Sequence, residues 1–101
     1  MTPKQKLILQ AARNNNIDYI RQMAEIHFED EFNFHDYLGR TPLYIAVVFK
    51  NVEAVRELIK IGADVNAKCE NGNTCLHRAM LCKEGDPRNE QIINILLNNG
   101  Q

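Results

Sequence analysis

Apolar and small residues recur along this chain in trios spaced i, i+3, i+4: Ile8/Ala11/Ala12, Leu43/Ala46/Val47 and Leu76/Ala79/Met80. That spacing places each trio on one stripe of a short helix that buries a single face. A second trio follows each first one, at Ile20/Met23/Ala24, Val55/Leu58/Ile59 and Ile93/Leu96/Leu97. The pattern therefore predicts three helix pairs. Their first stripes begin at Ile8, Leu43 and Leu76, at nearly equal intervals, so the chain reads as an array of like units.

Local signals support the same boundaries. Thr2-Pro3 and Thr41-Pro42 each set a hydroxyl acceptor before a proline at the first helical position, where the missing N–H costs nothing. Thr2 and Gln5 have the spacing of a capping box. Asn14-Asn15-Asn16 suits a turn between helices, because asparagine tolerates left-handed backbone. Between the pairs, "EFNFHDYLGRT" and "IGADVNAKCENGNT" carry Gly39, Gly62 and Gly72 around short extended segments, which suits projecting hairpin-like turns.

"GRTPLYIAVVFKNVEAVRELIKIGADVNAK" (residues 39–68) resembles an ankyrin repeat through Thr41-Pro42-Leu43, Ala46, Leu58 and Gly62-Ala63-Asp64-Val65-Asn66-Ala67. "GNTCLHRAM" keeps Thr74, Leu76, His77 and Ala79 but has Cys75 where the family has proline. The resemblance spans essentially the whole chain and is closest in the second unit. It implies an all-α ankyrin-repeat solenoid of helix-turn-helix pairs, a single domain over 1–101 with repeats at about 2–36, 37–69 and 70–101. Two departures stand out. About two extra residues precede Asn33, near Glu29-Asp30-Glu31, and "KEGDPRNEQ" lengthens the third inter-helix connection by roughly five, with Gly85 and Pro87 marking a loop.

Composition removes several function classes. Twelve basic residues against 13 acidic ones, with no dense Lys/Arg run, make nucleic acid an unlikely partner. No apolar stretch approaches the roughly 20 residues that span a bilayer, so no membrane role is expected. Three cysteines and the absence of a signal-like apolar run in "MTPKQKLILQAARNNN" point to a reducing, intracellular and cytoplasmic setting.

Candidate chemistry is thin. Cys75 and Cys82 lie seven residues apart on one helix face, roughly 10 Å at about 1.5 Å per residue, too far for one metal ion or a disulfide. Cys75 and His77, two apart, point to different sides of the helix. A helix N-terminus leaves a mildly reactive Cys75 as the minor alternative. By the resemblance His77 bonds locally beside Thr74, Tyr44 replaces it in the second unit, and Cys69 stands where the family usually has aspartate, read as a solvent-facing substitution. His27, Glu29, Asp30, Glu31, His35 and Asp36 match no ligand motif and read as a solvated acidic turn. The expectations are no catalytic residue, no metal, no cofactor and no enzyme activity.

What remains is surface recognition. The resemblance implies a protein-binding scaffold whose concave face and turn tips present Tyr37, Leu38 and Arg40, then Glu70, Asn71 and Asn73. Helix surfaces would add Arg13, Asn14, Ile45, Val48, Phe49, Arg78, Leu81 and Cys82. A patch centred on Phe49 with Val48, Leu81, Tyr37 and Arg40 has the aromatic and arginine content of binding hot spots; the alternative is that Val48 and Phe49 pack under a neighbouring helix. Leu76, Ala79 and Met80 are expected to bury the third unit's face. Ile92 and Ile95, off the Ile93/Leu96/Leu97 stripe, are expected to face a further repeat or a second copy. Leu58 followed by Asn66 resembles the pattern that asparaginyl hydroxylases modify in ankyrin proteins, against a simpler role for Asn66 in bonding the turn backbone. The module is alternatively a recruiting segment of a larger protein or enzyme, or a small inhibitor mimicking a longer ankyrin protein.

Overall fold

The computed structural model describes residues 2–26, 32–81 and 85–100. Among these, six α-helices form in chain order: α1 Pro3–Asn14, α2 Ile17–Ile26, α3 Pro42–Val48, α4 Val52–Lys60, α5 Cys75–Met80 and α6 Pro87–Gly100. No strand occurs among the described residues. Both threonine caps work as expected. The Thr2 hydroxyl accepts from the Gln5 N–H while the Gln5 side chain accepts from the Thr2 N–H, and Thr41 accepts from the Tyr44 N–H. Thr74 and His77 make the same reciprocal pair at α5. Asn15 takes the left-handed conformation that ends α1 (φ 58°).

The helices make two layers. The first helices α1, α3 and α5 pack side by side, α2, α4 and α6 form a second row, and each pair packs internally, the layered solenoid that the resemblance implies. Small residues let the rows approach: Ala11, Ala12, Ala46, Ala54 and Ala79 are buried beside Ile8, Ile20, Leu43, Val47, Val55 and Leu58. Polar side chains tie the units together. The Asn51 amide donates to the carbonyls of Ala12 and Arg13, and the Asn15 side chain accepts from the Ala54 N–H.

Two expected stripes differ. Met80, expected to be buried, is 64% exposed. Its equivalent Val47 lies in the row beside α5, whereas no first-row helix follows α5 among the described residues. In α6 the buried line is Asn89, Ile92 and Leu96, and Leu97 is exposed. Ile92 therefore faces the core rather than a further repeat, and Ile95 is half-buried against the same core. The register is set by Asn89, whose amide donates to the Ala79 carbonyl at 2.8 Å. Pro87 does not sit in a loop: it opens α6, and the Asp86 carboxylate before it accepts from the Arg88 N–H in the manner of an N-cap.

Candidate binding surface

The two hairpin-like tips correspond position by position, Asp36 with Cys69, Gly39 with Gly72 and Arg40 with Asn73. In the first, the Asp36 N–H donates to the Arg40 carbonyl and the Gly39 N–H to the Asp36 carbonyl. In the second, the Cys69 N–H donates to Asn73 and the Gly72 N–H to Cys69. Gly39 and Gly72 carry φ of 80° and 77°, where a side chain is strained. The tips are tied to each other: the His35 ring meets the Lys68 carbonyl at 2.8 Å, and the Asn33 amide donates to Gly62 and accepts from the Asp64 N–H.

Asp36 holds the first tip. Its carboxylate accepts from the N–H groups of Leu38 and Arg40 and from Arg40 Nε. It is buried, so the reading of His35 and Asp36 as part of a solvated acidic turn does not hold for Asp36. His27, Glu29, Asp30 and Glu31 lie outside the described residues. Cys69 takes the equivalent place in the second tip and is likewise buried rather than solvent-facing. Its sulfur lies 3.8 Å from Thr41 Oγ1 and from the Ala67 carbonyl. A hydrogen bond from Cys75 pulls the Cys69 thiol down to about 6 despite burial, while that same bond, with burial, pushes Cys75 up.

Of the residues proposed from sequence, Arg13, Arg40, Ile45 and Phe49 line one groove. Tyr37 is 92% exposed at the first tip beside exposed Leu38. Phe49 is 43% exposed at the end of α3, and the Arg13 guanidinium from α1 lies 5.2 Å from its ring centroid, a cation–π contact. Leu9, Gln10 and Arg13 of α1, Ile45 of α3 and Phe49 at its C-terminal end, and Asp36 and Arg40 of the tip enclose a groove of about 300 Å³. Ile45, expected on the surface, is only 5% exposed; it packs into the core and its outer edge floors this groove. Val48 and Arg78 are half-buried, Leu81 and Asn71 are exposed, and Asn73 is half-buried. The side chain of Glu70, and Cys82 as a whole, lie outside the described residues. Asn66 is exposed, and it is the Asp64 carboxylate that bonds this turn, accepting from the Asn66 N–H at 2.9 Å. Sequence reasoning missed Leu9 and Gln10 as groove residues. Gln10 precedes Ile45 by the same interval that separates Ile8 from Leu43, which is the signal that marks it.

The model of a family of ankyrin repeats, in three copies, matches residues 8–101. The chain is an ankyrin-repeat protein. Ankyrin repeats are generally non-catalytic protein–protein interaction modules. The chain is 37% identical over 75 residues to the nuclear factor NF-kappa-B p105 subunit of Gallus gallus, covering 74% of this chain and 7% of that protein. It is 34% identical to NF-kappa-B inhibitor alpha of Gallus gallus over 77% of this chain and 23% of that one. Against the Notch-regulated ankyrin repeat-containing protein of Xenopus laevis it is 31% identical, over 78% of this chain and 71% of that one. This ankyrin array thus spans only a small part of the two NF-kappa-B relatives. Among its described residues no helix is long and apolar enough to cross a membrane, and no three His, Cys, Asp or Glu side chains group as a metal site.

Proposed function

We propose that this ankyrin array is a non-catalytic module that binds a partner protein through the first-row helices and the hairpin tips. The observation that carries the reading is the groove between α1, α3 and the first tip, with Phe49 exposed at its edge under Arg13. A rigid aromatic beside an arginine, with Tyr37 and Leu38 projecting nearby, supplies the anchors that dominate protein interfaces. Rigid helices hold these side chains in place, so little ordering cost falls on binding.

The test is affinity capture from cells of the source, comparing the wild type with Phe49→Ser. Phe49 is exposed, so circular dichroism is expected to keep the wild-type helix content while captured partner falls about tenfold or more. Loss of helix content instead makes Phe49 a packing residue, and undiminished capture moves the interface elsewhere.

A further inference from the structure

The charges of the two helix rows are sorted. Every charged residue in the first-row helices is a cation: Lys4, Lys6 and Arg13 in α1 and Arg78 in α5, with no Asp or Glu in α1, α3 or α5. The second row carries five carboxylates, Asp18, Glu25, Glu53, Glu57 and Glu90, against four cations, Arg21, Arg56, Lys60 and Arg88. A chain of net charge −1 thus holds a positive first row. Lys6, Gln10 and Arg13, at i, i+4 and i+7, share the α1 face that lines the groove. Arg78 holds in the third unit the place that Ile45 holds in the second, as Leu76 does for Leu43.

We propose that the groove receives an extended acidic segment of a partner protein, a carboxylate meeting Arg13 and an apolar side chain resting on Leu9, Ile45 and Phe49. The inference rests on the binding face proposed above and adds the chemistry of what it binds. The one carboxylate lining the groove, Asp36, is paired with Arg40 at 3.2 Å and also accepts from the Leu38 and Arg40 N–H groups, so this pair is neutral and the unbalanced charge in the lining is that of Arg13. Arg13 is stacked on Phe49 and, among the described residues, pairs with no carboxylate. Its guanidinium keeps its donors for a bidentate carboxylate while Phe49 fixes its plane. The groove floor is apolar, which suits a peptide of mixed acidic and apolar residues better than a uniformly polar polyanion.

The experiment uses the full chain and fluorescein-labelled peptides of about 11 residues, long enough at about 3.3 Å each to span the 36 Å long axis. One series alternates Asp and Glu with Leu and Phe; the others replace the acids by Gln or by Lys. A single-stranded oligodeoxythymidine of similar length is the fourth probe. The expected result is binding of the acidic series only, weakening as salt is raised and falling about tenfold in Arg13→Glu but not in Lys60→Glu on the second row. Equal or tighter binding of the Gln or Lys series, binding unaffected by Arg13→Glu, preference for the oligonucleotide, or no binding by any probe overturns the proposal. If the Gln series binds and is lost in Phe49→Ser, the face is a protein-binding face but its partner is not acidic, which separates the two failures.

Discussion

Asp36 and Cys69 occupy the same place in successive tips, and the comparison explains why a cysteine is accepted there. At Asp36 an anion gathers the N–H groups of its own turn. At Cys69 the Cys75 thiol donates to the sulfur and favours the thiolate, bringing the Cys69 thiol from 9.0 to about 6. A depressed acid contributes stability that is present in full above its unfolded value and is lost as pH falls through its folded one. Cys69 therefore adds stability as pH rises from about 6 toward 9. Cys75, pushed up, acts oppositely above its ordinary value of 9.0. The urea midpoint of the wild type is expected to rise between pH 6 and 8.5. In Cys69→Asp that rise is expected to shrink, because a carboxylate is already ionised across the window. An undiminished rise in Cys69→Asp assigns it to other groups. The replacement of aspartate was visible in the sequence; the buried thiol pair was not, because it depends on the second tip folding back over the start of α5.

At the scale of elements, α6 and its connection depart most from the other two units. Asp86 joins two roles: it caps α6 through the Arg88 N–H and accepts from Lys50 Nζ at 2.9 Å, linking the connection to the end of α3. The Lys50 bond leads in lowering its carboxyl to about 2, with the Arg88 N–H next. Its contribution is thus present above about pH 4 and lost as pH falls through about 2. Asp86→Asn is expected to flatten the loss of stability between pH 4 and 2 and to lower the melting temperature at pH 7. Acid melts of the two proteins check both, and parallel acid limbs would remove Asp86 from the account. The first four helices were legible because their stripes, caps and asparagine turns agree. Apolar residues at 92, 93, 95, 96 and 97 surround α6, so periodicity alone left its face undecided. Position settles it: Ile92 follows Ala54 at the same offset as Leu96 follows Leu58, and both Ala54 and Ile92 are fully buried. The Asp-Pro start escaped notice because its proline also fits a loop.

At the scale of the molecule, among the described residues each helix pair packs mainly on the pairs beside it, so the middle pair carries two such interfaces and the outer pairs one each. Leu58 sits in α4, which packs against both α2 and α6, and is fully buried. Truncating such a leucine costs about 2–5 kcal/mol, a large share of the roughly 5–15 kcal/mol that holds a domain of this size. Met80, largely exposed at α5, lacks that cover, and its replacement by alanine is expected to cost less than about 0.5 kcal/mol. Leu58→Ala is therefore expected to unfold all three pairs together at markedly lower urea, with circular dichroism and hydrogen exchange in α1 and α6 reporting one transition. Met80→Ala is expected to leave that transition in place. A Leu58→Ala protein that loses only the protection of α4, with α1 and α5 still protected, would show instead that the pairs fold independently.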